Sequence, residues 1–226
     1  SGHANVQMAV DSLKLGAFEF IQKPFSTERL LNFLNRAIEN VDLKKEKSNL
    51  ESKLFYSYEI IGNSQPMQKI KNLITKLANT ESRIFISGPA GSGKELVARQ
   101  VHKQSLRASK PFVVVNGALL DPQKYELELF GSENTNDTTS YGFFEKAKDG
   151  TLLIDEVSEI PLETQSKILR VLIDQKFKRI NSDHDVNVDV RIICSSSKDI
   201  KNEIKVGNFR EDLFHRLNVF QIDIEP

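Results

Sequence analysis

Residues 83–95 read RIFISGPAGSGKE, and the architecture of the chain follows from them. The apolar run Ile84-Phe85-Ile86 leads into Gly88, and glycines recur at Gly91 and Gly93 with Lys94 directly behind. Gly88-x-x-x-x-Gly93-Lys94 is the phosphate-loop pattern. Small residues let successive backbone N–H groups close around phosphate oxygens, and the lysine reaches the outer phosphates. Residues 95–104 are predicted to be a helix whose positive N-terminal end faces the same anion. Strand, loop and helix therefore come in the order an anion site requires. A glycine-rich turn can also be only a turn, and Glu95 stands where Ser or Thr usually follows the lysine.

The flanking sequence extends the pattern. Short apolar segments at 83–87, 111–116, 151–155, 188–195 and 219–224 are predicted strands. Helical periodicity falls at 67–77, 95–105, 125–129, 162–174 and around 210–217. Alternation of this kind predicts an α/β fold with a parallel sheet covered by helices on both faces. A phosphate loop after the first of these strands places the ligand at the carboxyl edge of the sheet.

Downstream, Leu152-Leu153-Ile154-Asp155-Glu156 is an apolar strand that ends in two acids. Asp155 would lie beside the loop and hold Mg²⁺ directly or through water. Glu156 is the candidate to orient or deprotonate an attacking water. A surface acidic pair after a strand is common, but one that follows a phosphate loop points to ATP hydrolysis. Arg210 and Arg216 lie six positions apart, on roughly opposite sides of a helix. Either can stabilise charge on a transferring phosphoryl group, in cis or from a neighbour. As surface residues they would instead pair with Glu211 and Asp212.

Composition narrows the classes. The 226 residues suffice for one full α/β domain and a smaller segment. Lys+Arg and Asp+Glu are both 31, so no global charge marks a nucleic-acid binder. Cys194 is the single cysteine, which excludes an internal disulfide and a cysteine zinc site and fits a reducing compartment. No run reaches the length of a membrane span, and the first ten residues, SGHANVQMAV, lack signal-peptide order. The expectation is a soluble cytoplasmic protein with no membrane contact.

Residues 1–40 are predicted to be helix, strand and helix, too little to bury a core alone, and so the end of a domain that begins upstream. Residues 41–57 are predicted to be a charged linker helix. Leu43, Leu50 and Leu54 suggest a coiled-coil seam that Lys47 interrupts, which favours a solvated linker over a dimer contact. Residues 58–226 are predicted to be an α/β domain that binds nucleotide.

The opening SGH with AVDSLKLGAFEFIQKPF resembles the end of a response-regulator receiver domain, a doubly wound, flavodoxin-like fold. That resemblance implies that Ser1 senses the phosphoryl group and that Lys23 contacts it, ahead of Pro24. The phospho-accepting aspartate would lie upstream of this sequence. Ser1-Gly2-His3 also reads as an expression scar.

Residues 58–226 resemble the AAA+ ATPase domain of NtrC/NtrX-type, sigma-54 enhancer-binding regulators. The resemblance rests on GPAGSGKE, FVVVNGALL, ELFGSE, GTLLIDEV, VRIICSSSKDI and FREDLFHRLNVF. It implies that Gly88, Pro89, Ala90, Gly91, Ser92, Gly93, Lys94 and Glu95 hold ATP, with Ile61 and Gly62 near adenine. It further implies Lys94 at the β/γ-phosphates, Asp155 at Mg²⁺ and Glu156 at the water. Asn116 would hold Glu156 until a partner engages, and Ser197 would sit at the sensor position. Arg210 and Arg216 would be donated to the adjacent protomer's ATP, which implies a homo-oligomer, a dimer or a ring. A sensor histidine kinase would act through the complete receiver, and RNA polymerase or DNA through parts beyond these residues.

Three departures stand out. Residues 134–141 are polar, shorter than in the family and without its GAFTGA motif. Pro89 replaces a Glu and Ser197 an Asn. They imply regulation without sigma-54 and slow hydrolysis. Two readings stay open: a ring-forming, Mg-dependent ATPase, or a nucleotide-gated DNA-binding switch with little turnover. No acceptor site for a small-molecule kinase is evident. Because the sequence stops at Glu225-Pro226, short of the family's lid and helix-turn-helix, it is expected to be a fragment truncated on both sides.

Overall fold

Five short apolar segments become the strands of one sheet in the computed structural model. It describes residues 59–121, 123–133 and 139–225, together with 24–28, 30–34, 36–38 and 41. The chain divides into two units, Ser1–Ser57 and Tyr58–Pro226. In the first, the described positions from 27 to 41 are helical, where the amphipathic pattern predicts a helix. Ser1, Lys23, the strand expected at 17–21 and the linker beyond residue 41 lie outside the described residues.

In the second unit the elements run α1 (Gln65–Ala78), β1 (Ile84–Ser87), α2 (Lys94–Lys103), β2 (Phe112–Asn116), α3 (Tyr125–Phe130), β3 (Gly131–Glu133) and β4 (Thr139–Tyr141). They continue with α4 (Phe143–Lys146), β5 (Thr151–Asp155), a 3-10 turn (Val157–Glu159), α5 (Leu162–Asp174), β6 (Lys176–Lys178) and β7 (Asp185–Asn187). The last are β8 (Arg191–Ser196), α6 (Ile200–Lys205), α7 (Glu211–Leu217) and β9 (Phe220–Asp223). The main sheet has the order β2-β5-β8-β1-β9, and each pairing in it is parallel. All five carboxyl ends therefore meet at one edge.

Residue alternation divides the strands between two cores. Phe85, Leu152, Ile154, Ile192 and Cys194 face one side, with Ile168, Val171, Leu213 and Leu217 from α5 and α7. Ile84, Ile86, Leu153, Ile193 and Ile222 face the other, with Ile70, Ile74, Val97 and Val101 from α1 and α2. A period of two along a strand puts neighbours on opposite faces, so strands covered on both sides read as unbroken apolar runs.

The structure shifts some boundaries. The strand expected from residue 188 begins at Arg191, because Asp185–Asn187 pairs antiparallel with Lys176–Lys178 and the Val188 N–H bonds to the Gln175 carbonyl. That hairpin and the one formed by β3 and β4 are too short and polar to stand out in sequence. Among the described residues no helix is long and apolar enough to cross a membrane.

Arg191 opens β8 and is 2% exposed. Its guanidinium donates to the carbonyls of Leu77 at 2.7 Å, Ala78 at 3.2 Å and Ser82 at 3.3 Å. Leu77 and Ala78 close α1, where carbonyls lack intrahelical partners; Thr80 caps Leu77 as well, through its N–H at 3.1 Å and its hydroxyl at 2.9 Å, and a cation there also meets the negative end of the helix. Arg191→Met should cost about 1–3 kcal/mol, because it removes the donor to the buried Ala78 carbonyl. Urea unfolding followed by circular dichroism measures it, as a lower midpoint at unchanged slope.

Candidate active site

The loop between β1 and α2 is shaped by its glycines. Gly91 and Gly93 take left-handed backbone, φ 78° and 88°, and a Cβ at Gly91 would meet no atom within 4 Å. Space on this side of the backbone is what an entering anion needs. The Ser92 hydroxyl is buried there with no hydrogen-bond partner among the described residues. Lys94 opens α2 and is 6% exposed. Its Nζ donates to the Gly88 and Pro89 carbonyls, each at 3.0 Å, and pairs with Glu156 Oε1 at 3.3 Å. Glu95 points outward and pairs with Arg99 at 2.6 Å, one helical turn on. A carboxylate at the start of α2 also supports the positive helix end electrostatically.

Parallel pairing delivers the rest of the site. β5 ends at Asp155 with Glu156 directly after it, β2 ends at Asn116 and β8 at Ser195 and Ser196. Asn116 Nδ2 donates to Asp155 Oδ2 at 2.8 Å, and the Ser195 hydroxyl donates to Asp155 Oδ1. Glu156 Oε2 accepts from both the N–H and the hydroxyl of Ser197, each at 2.8 Å. The expectation that Asn116 holds Glu156 is corrected here: Asn116 reaches the adjacent aspartate, and Ser197 and Lys94 hold the glutamate. Ser196 faces the other way, onto Ser158.

Glu156 sits in left-handed backbone, φ 50° and ψ 52°, a strained conformation for a non-glycine residue. The turn after β2 holds it in place. A Cβ at Gly117 would lie 2.5 Å from the Glu156 carbonyl oxygen, so only glycine allows the two loops to touch. Tyr125 secures the same turn by donating to the Gly117 carbonyl. Ser195, Gly117 and Tyr125 were missed in the sequence. For Ser195 a signal existed, since residues two apart at a strand end face alike and Ser195 and Ser197 are two apart.

Other expected residues lie apart from this cluster. Gly62 accepts from Lys71 Nζ at 2.8 Å, while Ile61 is exposed beside Ile60, which packs on the core that holds Val97 and Ile224. Arg210 precedes α7 and makes a two-point pair with Asp212, at 3.0 and 2.7 Å. Arg216, in the last turn of α7, donates to the Leu172 carbonyl at 3.3 Å. Neither arginine is bonded to the loop of its own subunit.

The donor set suits a nucleotide and its metal. Open glycine backbone, an unpartnered hydroxyl and a buried lysine fit a polyphosphate. Asp155 would give the metal one carboxylate, with phosphate oxygens and water completing the shell in the usual magnesium manner. Among the described residues no group of three or more His, Cys, Asp or Glu could hold a metal by itself. Beside the loop a cleft of about 610 Å³ is lined by Gly88, Pro89, Ser197, Phe214 and Asp223, among others.

Fold and site together define a P-loop NTPase domain of the AAA+ type. The family model described as the sigma-54 interaction domain matches residues 60–223, and the chain belongs to that family. It is 44% identical over 227 residues to the nitrogen assimilation regulatory protein NtrX of Azorhizobium caulinodans, covering 100% of this chain and 50% of that protein. It is 42% identical to a putative NtrX-like response regulator of Rickettsia typhi, over 99% of this chain and 47% of that protein. The crystal structure of Brucella abortus NtrX superposes with a TM-score of 0.83 at 46% identity, covering 99% of this chain and 50% of that one. The same NtrX in complex with ATP gives a TM-score of 0.76. The chain spans about half the length of the relatives it matches.

Burial raises the Glu156 pKa, but the two Ser197 bonds and the Lys94 charge outweigh it, and the net shift is downward. A depressed carboxylate pKa adds stability that is present above the unfolded value and lost as pH falls through the folded one. In Ser197→Ala the Glu156 midpoint should rise toward the ordinary carboxylate range. Carboxyl-carbon NMR titration checks this, and an unmoved midpoint would show that the hydroxyl bond carries no weight.

Proposed function

We propose that this chain is the central part of a two-component transcription regulator, binding ATP with Mg²⁺ in the 88–95 loop and hydrolysing it in an assembled homo-oligomeric ring. The observation that carries this reading is the convergence of Lys94, Asp155 and Glu156 at the loop edge. Brucella abortus NtrX, solved with ATP and with ADP, supports nucleotide as the ligand. In the whole protein a sensor histidine kinase acts on the receiver, and DNA or RNA polymerase receives the output, in the cytoplasm. The polar 134–141 segment without GAFTGA supports action independent of sigma-54.

Lys94 exchanges the Gly88 and Pro89 carbonyls and Glu156 for phosphate oxygens, a charge-assisted replacement that suits a buried ammonium. Bound Mg²⁺ supplies neutralisation of charge on the phosphates. Asp155, oriented by Asn116 and Ser195, presents its carboxylate to that ion. Glu156 accepts the proton of the attacking water. While Ser197 and Lys94 hold it, its pKa stays low and it is a weak base. The nucleotide draws Lys94 away, and release from Ser197 as well is what restores the basicity of Glu156. Arg216 and Arg210, remote from their own loop, serve the neighbouring copy.

The second reading, a nucleotide-gated switch, is favoured by the same hold on Glu156: a glutamate that never leaves Ser197 binds nucleotide without turning it over. Phosphate release against protein concentration separates the two. Specific activity that rises with concentration is expected, and tight binding with no release at any concentration would select the switch. Lys94→Ala should weaken ATP binding at least about tenfold by calorimetry. Glu156→Gln should leave affinity nearly unchanged while turnover falls by about 10²–10⁴; equal loss of both would make Glu156 structural.

A further inference from the structure

At the amino edge of the sheet, away from the loop, lies a cavity of about 260 Å³. Its walls carry Arg83, Arg107, Arg191 and Arg216 against the carboxylates of Glu81 and Asp189. Four guanidinium groups against two acids leave an excess of two positive charges. Arg107 takes both acids, Glu81 at 2.8 Å and Asp189 at 2.7 Å. Arg191 is committed to the α1 carbonyls of Leu77 and Ala78 and to that of Ser82. Among the described residues, Arg83 and Arg216 have no carboxylate partner, and the Arg216 guanidinium reaches only the Leu172 carbonyl.

Strand register is what brings these two together. Ile84 lies opposite Phe220 in the parallel pair of β1 and β9, and the Phe220 N–H bonds to the Arg83 carbonyl at 3.3 Å. Arg216 lies in the last turn of the helix that feeds β9, so it comes down beside Arg83. Burial, and next the Arg216 charge, lowers the Arg83 pKa. Like charges held together in a part-buried wall repel, and an entering anion relieves both.

We propose that Arg83 and Arg216 form one receptor for the phosphoryl end of the nucleotide held by an adjacent copy, with exposed Arg216 at the mouth and half-buried Arg83 on the wall. This rests on the ATPase reading above and adds Arg83 to it. The receptor cannot serve its own loop, because the whole of β1 lies between Arg83 and Gly88. In a head-to-tail contact the amino edge of one copy meets the carboxyl edge of the next, so this basic cavity faces a site that holds Asp155, Glu156 and the phosphates. Such a contact is heterologous and closes into a ring when the rotation allows.

The test measures phosphate release from ATP by the full-length protein across protein concentration, with sedimentation and thermal unfolding of each variant. Arg83→Ala should lower the plateau rate by about tenfold to hundredfold, less than loss of a primary arginine finger, while still assembling with an unchanged unfolding midpoint. Arg83→Lys should recover most of the rate, because the charge is kept. Mixing Arg83→Ala with Glu156→Gln copies should restore activity, since mixed rings contain interfaces with both groups intact. Where Arg83→Ala fails to assemble, Arg83→Gln is measured instead. A full rate in the charge-removing variant, a falling midpoint with equal loss in Arg83→Lys, or no rescue on mixing overturns the role of Arg83 alone. Wild-type release that does not depend on concentration overturns the shared site and the receptor with it.

Discussion

Parallel pairing of β1 between β8 and β9 is the constraint on which the rest of the second unit depends. A sheet buried on both faces must be reached by crossover connections, and the helices of those connections supply the two cores. Because all five strands run the same way, the ends of the sheet differ chemically. One end gathers the loop, Asp155, Glu156 and Ser197. The other gathers Arg83 and Arg191, set there by where β1 and β8 begin, and Arg216, from the last turn of the helix before β9. Direction in the sheet thus becomes polarity in the molecule.

At the carboxyl end the energetics are a competition for Lys94 and Glu156. A buried ammonium is tolerable only with partners, and here it has two carbonyls and a carboxylate. Polyphosphate offers the same donors more negative charge, so binding exchanges partners and leaves no bare cation at any stage. Glu156 is then left to Ser197, in a backbone conformation that costs about 1–3 kcal/mol and survives only because its surroundings insist on it. The Gly117 contact and the Tyr125 bond are those surroundings.

Much of this was legible in the sequence where one signal dominated. β5 and α5 fall at the expected residues because an unbroken apolar run and a clean helical period leave no competing choice. β8 was misjudged at its start because Val188 and Val190 are apolar without being in the sheet: Val188 bonds back to Gln175 and packs on the core from a hairpin end. The loop lysine and the acids of β5 were readable from spacing, because chemistry fixes their types. The partners of Asp155 and Glu156 were not, because a hydrogen bond between strand ends depends on a register no single strand encodes. Arg83 drew no notice for the same reason: a basic residue ahead of a strand is ordinarily solvated, and only the pairing of Ile84 with Phe220 sets it beside Arg216.

The difference between the two edges also decides which self-association is physically reasonable. A two-fold contact through the amino edge would set Arg83 and Arg216 against their own copies, adding like charge to a wall that already holds an excess of it. A two-fold contact through the carboxyl edge would set phosphate against phosphate. Only a head-to-tail contact joins cation to anion, and it leaves every copy with one edge satisfied and one offered until the chain of contacts closes. Filling the loop with a polyphosphate sharpens that preference, because it raises the negative charge at the edge the next copy must approach. In the proposed ring, nucleotide binding and assembly would therefore be coupled by the sheet itself, through the charge that each of its ends carries.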